Sequence, residues 1–237
     1  MKTFKSFLVT ALAIAFLASC NNGNCISGSG GYTSKEYNTA SFNSVAVAGE
    51  ADVYIVKDST QSLRIEGQSN ILNALNVKVS GQKLSIGEDN CFRNASRLKI
   101  YIGTPTLTGM IISGSVDVIS TDTFTENEFS AILSGTGSME LNMNVQEFNA
   151  SVSGNGDIKA SGTATKQYLS SSGDGFFKCF DLVGEDVDIN VSGTATMEVH
   201  ATQTLHIDVS GTAFIYYKGQ PTITQKVSGT ATIIDAN

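Results

Sequence analysis

The sequence predicts an all-β protein whose main part is a parallel β-helix, or β-solenoid, with rungs of about 20 residues. The first observation is a Ser-Gly phrase that occurs seven times, with its glycine at Gly114, Gly135, Gly154, Gly173, Gly193, Gly211 and Gly229. The second is the spacing of these glycines, 18 to 21 residues. A fixed period of this length is typical of stacked units that are too small to hold a core alone. The third is the alternation of apolar and polar residues around each glycine, which indicates strands.

Counting by twos from each glycine separates the side chains of a rung into two faces. The even row is mostly apolar and is the predicted interior; around Gly193 it contains Ile189, Val191 and Met197. The same row places Cys179 inside. The odd row is polar, with serine before the glycine in all seven units. Glycine, followed two residues later by a second small residue in most units, predicts a corner where the wall comes too close for larger side chains.

Upstream, residues 45–55 fit the same rows, with Gly49 in the glycine position. Residues 39–105 are therefore predicted to form an N-terminal β-section that covers one end of the solenoid, and residues 106–237 form the Ser-Gly repeat. The alternating runs within 63–102 indicate partly hairpin-like strands, and 70–74 fit a short helical turn.

The first 19 residues have the pattern of a lipoprotein signal peptide. Lys2 and Lys5 precede an apolar stretch at 7–17 that is too short to span a bilayer as a helix. The following Leu-Ala-Ser-Cys resembles a bacterial lipobox, which implies cleavage before Cys20 and lipid attachment at Cys20. Residues 20–38 are then expected to be the lipidated cysteine and a flexible tether, because 21–31 are polar and rich in glycine and serine.

Net charge and cysteine content limit which partners and which disulfides are expected. The chain has a formal net charge of −7, which becomes −9 once Lys2 and Lys5 are removed, and no basic patch is found, so nucleic acid is not expected as a partner. Besides Cys20 there are three cysteines, Cys25, Cys91 and Cys179, which allow at most one internal disulfide. The spacing favours no pair, although an exported chain can form one. Neither a metal site nor a cofactor is expected.

Catalytic candidates are few. Parallel β-helices also host polysaccharide-cleaving enzymes, which need acid and base groups on one groove. Asp117, Asp157 and Asp174 lie in outer rows, but no Arg, Lys or His shares a column with them. A solvated outer face is the simpler interpretation. His200 and His206 have no metal-ligand spacing and are expected on the surface.

The outer rows instead suggest a contact surface. Stacked serines would form one row of hydroxyls, which either bond from rung to rung or bind glycans and ordered water. Outward aromatics and threonines lie on nearby rungs, where they could stack on sugars or be covered by a partner chain. The candidate contact residues are Phe176, Phe214, Tyr216, Thr194, Thr196, Thr212 and Thr230.

Three segments together resemble the DUF2807 family, a putative auto-transporter adhesin, head GIN domain. They are the run 98–102 before Pro105, the Ser-Gly rungs, and the stretch 217–221 that leads into 226–229. The resemblance covers about residues 42 to 235. It implies a β-helical envelope protein, often a lipoprotein. Several rungs depart from the family's Gly-x-Gly-Asp, having Thr-Ala-Thr or Thr-Ala-Phe instead.

The resulting functional hypothesis is an exported, lipid-anchored protein of the cell envelope, at the outer membrane and facing the periplasm or the exterior. It would act as an adhesin or surface-interaction module without catalysis. Its expected partners are the membrane, through the anchor, and a glycan or surface protein. The alternatives are a polysaccharide-binding or polysaccharide-cleaving β-helix and a homo-oligomer formed through the exposed rung face.

Overall fold

A computed structural model describes residues 25–88 and 91–237. The predicted signal peptide, 1–19, and Cys20 lie outside the described residues. The described chain is almost entirely strand, and its long strands pair in parallel, which confirms the predicted β-solenoid. The repeat region contains β9 Gly109–Leu133, β10 Thr136–Val152, β11 Asn155–Ser171, β12 Asp174–Val191, β13 Thr194–Val209, β14 Thr212–Lys218, β15 Thr222–Val227 and β16 Thr230–Asp235.

The repeats stack in register. Thr136 of β10 pairs with Asn155 of β11, which pairs with Asp174 of β12, so equivalent positions of successive units lie side by side. The strands are interrupted by a bend at six of the seven Ser-Gly units, as the predicted corner requires, whereas Ser113-Gly114 lies within β9. The even row is buried as expected, including Phe148, Phe177 and Ile189, because side chains of one parity face the inside of the coil.

The repeat glycine is needed for a different reason from the predicted one. A Cβ added at Gly154 would lie 2.0 Å from the carbonyl oxygen of Gly135, and one added at Gly173 would lie 2.1 Å from that of Gly154. The obstacle is therefore the backbone of the preceding rung, not an opposite wall of the interior. The second small position does face inward, since a Cβ on Gly156 would meet the side chain of Leu133 at 2.5 Å.

The N-terminal β-section extends this stack and closes one end. It contains β1 Ile26–Ser27, β2 Tyr32–Glu36, β3 Ser44–Lys57, β4 Ser62–Gln68, α1 Ser69–Ala74, β5 Leu75–Ser80, β6 Lys83–Glu88, β7 Phe92–Arg93 and β8 Leu98–Thr104. β3 is the predicted upstream copy, because it pairs in parallel with β9 and aligns Gly49 with Gly114. On its far side β3 pairs with β6 and β8, and antiparallel pairs β4–β8 and β5–β6 complete the cover.

The expectation of a flexible tether over 20–38 is wrong for residues 25–36. β1 pairs with β7, and β2 pairs antiparallel with β4. Asn70 of α1 clamps the segment between them, accepting from the backbone of Ser29 at 2.9 Å and donating to the carbonyl of Ser27 at 2.8 Å. The Tyr37 hydroxyl donates to the Leu72 carbonyl at 2.9 Å. A polar, Gly/Ser-rich composition was read as a linker, but β4 and β7 offer free edges that satisfy its backbone.

A disulfide joins Cys25 to Cys91, with the two Cα atoms 4.7 Å apart. The sequence left this pairing open. The bond ties the first described residue to the residue just before β7, across a sequence separation of 66 residues. It therefore fixes the N-terminal segment to the cap that closes the solenoid.

The two ends of the solenoid differ. At the N-terminal end, the described strands of the N-terminal β-section cover the first rung. At the other end β15 pairs with β13 and β16 pairs with β14, and the described residues place no strand beyond them. Apolar side chains of this last rung are consequently exposed, with Val227 at 42% and Ile223 at 37%. Val227 was predicted to be interior, but no further rung covers it.

Cys179 lies in the core, as predicted, and has no accessible surface. Burial raises the pKa of its thiol to about 12, since the interior cannot solvate a thiolate.

We expect iodoacetamide to leave Cys179 unmodified in native protein at pH 8 and to label it after unfolding, as mass spectrometry would show. Because the unfolded thiol ionises first, the free energy of unfolding should fall as the pH rises from about 9 towards 12. A Cys179→Ala variant should lose both effects; labelling of the native thiol at the unfolded rate would contradict the burial.

Candidate functional site

A groove crosses the strands on the outer face that precedes the Ser-Gly corner. Its volume is about 410 Å³, within the range of about 300–1,000 Å³ in which small ligands are usually held. The groove runs across strands β9 to β13. We call it the Tyr168 groove; it is lined mainly by Ser130, Ile132, Asn149, Ser151, Tyr168, Ser170, Asp188, Asn190, His206 and Asp208.

Strand register places these side chains in two parallel columns. In the first, Asn149 pairs with Tyr168, Tyr168 with Asp188, and Asp188 with His206. In the second, Ser170 pairs with Asn190, and Asn190 with Asp208. Neighbouring strands are about 4.8 Å apart, so five rungs make a track of about 20 Å. The small serines of the second column lie beside the Tyr168 ring and leave the groove open.

The polar groups of the groove are only partly engaged by the protein. Asn149 donates to Glu147 at 2.9 Å and to Glu128 at 3.2 Å, and Asp208 binds Lys226 at 3.2 Å. Within the described part of the chain, the side chains of Asp188, Asn190 and His206 make no hydrogen bond or ion pair. The groove thus presents unpaired donors and acceptors next to an aromatic ring.

The predicted contact residues lie on the other side of the Ser-Gly corner. The structure brings them together in adjacent columns: Thr194 pairs with Thr212 and Thr212 with Thr230, while Thr196 lies between Phe176 and Phe214. Tyr216 follows one column further, beside Glu198. We call this set the Phe214 patch. Phe214 is the most exposed of its aromatic side chains, at 45%.

Part of the Phe214 patch is engaged internally. Lys178 lies over the ring of Phe176, with its nitrogen 4.7 Å from the ring centre, and pairs with Asp157 at 3.0 Å. The cation covers a face of Phe176 that a ligand would otherwise use. Phe214 therefore carries most of the free aromatic surface on this side.

Two of the three aspartates considered for catalysis, Asp117 and Asp157, are paired with cations. Asp157 binds Lys178, Glu140 binds Lys159 at 2.7 Å, and Arg97 of the N-terminal β-section binds Asp117 at 2.5 Å. Arg97 also contacts Asp52, so these ions join the cap to the first rungs. Asp174 lies one column away from Asp157, beside Asn155. This arrangement is that of ion pairs on a half-exposed surface.

Two serines of the Ser-Gly row make side-chain bonds to the backbone. Ser134 and Ser210 donate from their hydroxyls to the carbonyls of Ile112 and Val191 in the preceding rung, at 3.2 and 3.5 Å. This is rung-to-rung bonding, as one of the two interpretations held, but the acceptor is the main chain rather than the next hydroxyl.

Sequence reasoning missed most of the Tyr168 groove. His206 is exposed, as predicted, but its place in a groove was not predicted, and Tyr168, Asp188 and Asn190 were not among the candidate residues. Counting was anchored on the residues after the glycine, where aromatics recur. The same counting five residues before the glycine gives Asn149, Tyr168, Asp188 and His206, an outward column of one aromatic with planar polar groups. That column was readable, but the groove beside it depends on side-chain volume in three dimensions.

Burial perturbs one carboxyl group on the cap. The pKa of Glu88 is raised, chiefly by burial and further by the nearby Glu50, while a backbone hydrogen bond from Phe92 opposes the rise.

Within residues 25–88 and 91–237, no group of three or more His, Cys, Asp or Glu side chains could hold a metal ion. In the same residues, no helix is long and apolar enough to cross a membrane.

The fold and the groove define a class: a parallel β-solenoid, capped at its N-terminal end, whose polar outer faces are available for contact. The chain belongs to the DUF2807 family, described as "Putative auto-transporter adhesin, head GIN domain", whose model matches residues 41–221. The resemblance seen in the sequence is thereby confirmed. No curated protein matches the chain.

Solved structures agree with this assignment. A putative adhesin from Bacteroides fragilis NCTC 9343 shares 28% identity and a TM-score of 0.83, with 88% of this chain and 98% of that chain covered. A putative adhesin from Parabacteroides merdae ATCC 43184 has 21% identity, a TM-score of 0.67 and coverage of 91% and 100%. A putative lipid binding protein from Parabacteroides distasonis ATCC 8503 has 20% identity, a TM-score of 0.69 and coverage of 90% and 99%. The last two are alike in fold. The family and the Bacteroides fragilis structure indicate an adhesin-like protein of the cell surface or envelope.

Proposed function

We propose that the chain is an exported, lipid-anchored adhesin that holds a glycan or surface protein on the outer face of its solenoid and catalyses no reaction. The observation that carries the proposal is the combination of a rigid, capped rod with outward columns of aromatic and hydrogen-bonding side chains. A rigid repetitive surface offers many weak contacts at fixed spacing, which suits adhesion rather than the enclosure of a single bond.

The anchor is proposed from the lipobox-like sequence and from the short stretch of chain between Cys20 and the N-terminal β-section. If Cys20 carries the lipid, four residues separate it from Cys25. The five Cα–Cα steps between the two cysteines reach about 17 Å when fully extended. The disulfide end of the N-terminal β-section would then stay beside the membrane, at the outer membrane of the envelope, and the solenoid would carry its faces into the surrounding space.

The absence of catalysis is part of the proposal because two of the three aspartates considered for acid–base chemistry are already paired with cations. Asp117 and Asp157 neutralise Arg97 and Lys178. A glycosidase of the usual kind needs two carboxyl groups flanking one bond, one of them a proton donor. The alternative of a polysaccharide-cleaving β-helix has no specific observation in its favour.

Two measurements test this function. Full-length protein in a sugar-free detergent, displayed on beads, should adhere to a subset of surfaces on an array of glycans and matrix proteins. Metabolic labelling with a radioactive fatty acid should mark wild-type protein and leave a Cys20→Ala variant unlabelled and detached from membranes. Failure to adhere anywhere on a broad array would overturn the adhesin proposal, and fatty-acid labelling of the Cys20→Ala variant would overturn the anchor.

A further inference from the structure

We propose that the Tyr168 groove is the ligand seat of this protein and that it binds a neutral oligosaccharide lying across the rungs. This inference deepens the proposed function and rests on it. It places the seat on a different face from the Phe214 patch and names the chemical class of the ligand.

Tyr168 offers an aromatic ring on which a sugar can stack. Tyr168 is 38% exposed, and pairing with the strands on both sides fixes its backbone before any ligand binds. A pyranose ring has an apolar face of C–H groups, which can lie flat against an aromatic side chain as other apolar groups do. Aromatic side chains bury much area at little cost in side-chain entropy, which is why they dominate many contact surfaces.

The groove also contains polar groups that the protein leaves unpaired. Sugar hydroxyls both donate and accept hydrogen bonds. Asn190 offers a donor and an acceptor, Asp188 offers acceptors, and the imidazole of His206 can serve as either. None of the three has a partner among the described residues, so binding a sugar would not require an existing bond to break. Their unpaired state distinguishes them from Asn149 and Asp208, which the protein already engages.

The shape of the groove suits a chain molecule. The groove is open and elongated, with Tyr168 near its middle and polar side chains on the strands to either side. A track of about 20 Å has room for several sugar rings in a row. A compact ligand would fill only part of it, whereas a chain molecule can use successive rungs.

The charge of the groove favours neutral glycans over acidic ones. Asp188 and Asp208 lie in the groove and Glu147 borders it through its bond to Asn149. The cation Lys226 is already paired with Asp208 at 3.2 Å. Sulfated, sialylated or uronic acid chains would meet the unpaired carboxylate of Asp188, so a neutral chain of hexoses or N-acetylhexosamines fits best.

The test uses full-length protein in a sugar-free detergent on an array of neutral and acidic oligosaccharides, with dissociation constants measured for the best neutral binder. We expect Tyr168→Ala to weaken binding at least tenfold, since loss of one stacked ring removes about 1.4 kcal/mol or more. Tyr168→Phe keeps the ring and should stay within about threefold of wild type. Phe214→Ala is the matched control: it removes an equally exposed aromatic from the other face and should change nothing. Circular dichroism would verify that each variant is folded.

The outcomes separate the two proposals. Binding of neutral glycans that depends on Tyr168 and not on Phe214 supports the inference. Glycan binding abolished by Phe214→Ala, binding confined to acidic glycans, or adhesion to proteins without any glycan binding overturns the inference and leaves the adhesin function standing. Adhesion to nothing on the array overturns both.

Discussion

Gly154→Ala is expected to destabilise the solenoid by about 3 kcal/mol or more. The new Cβ would lie 2.0 Å from the carbonyl oxygen of Gly135 and 2.8 Å from its carbonyl carbon. Main-chain atoms cannot rotate away as a side-chain tip can, so the rungs must separate at this point. The loss should spread, because each rung is stabilised by its neighbours. Chemical denaturation followed by circular dichroism would measure it.

The chain provides a matched control for this substitution. A Cβ added at Gly31 meets nothing within 4 Å. Gly31→Ala should therefore stay within about 0.5 kcal/mol of wild type. If Gly154→Ala were as stable as Gly31→Ala, the close approach of successive rungs would not be the reason for the repeat glycine.

Removing the disulfide is the second large change. The double variant Cys25→Ala/Cys91→Ala should lose about 4 kcal/mol of stability in the N-terminal β-section, if the bond acts by restricting the unfolded chain over its 66-residue separation. The segment from Cys25 to Glu36 should also exchange its amide hydrogens faster, because β1 is only two residues long and depends on the covalent link.

Reduction provides the control for the disulfide. A reducing agent should lower the melting temperature of wild-type protein to that of the double variant and should leave the double variant unchanged. Equal melting temperatures for oxidised wild type and the double variant would show that the pairing of β1 and β2 holds the segment without the covalent bond.

The solenoid was predictable because its information is local and repeated. Seven Ser-Gly units give the period, and alternation gives the face of each side chain, so Cys179, Phe177 and Gly49 could be placed correctly from the sequence alone. The reason for the glycine was harder. A row of small residues shows that space is short, but only the stacked backbones show that the carbonyl of the previous rung occupies it.

The N-terminal segment and the Tyr168 groove were less predictable because they depend on partners distant in sequence. Residues 25–36 are held by β4, β7 and Asn70, none of which the local composition reveals. The groove depends on Ser151 and Ser170 being small beside a large Tyr168 on the same face. The Phe214 patch was predictable because aromatic residues recur after the repeat glycines, and strand register brings its members together.

One neutral oligosaccharide can be followed through an incubation with full-length protein, recording both its binding and its chain length. We expect the sugar to be retained by wild-type protein, released by Tyr168→Ala, and recovered at its original length after prolonged incubation. Shortened products, or retention that is unaffected by Tyr168→Ala, would contradict the view that this solenoid is an adhesin that holds glycans without cleaving them.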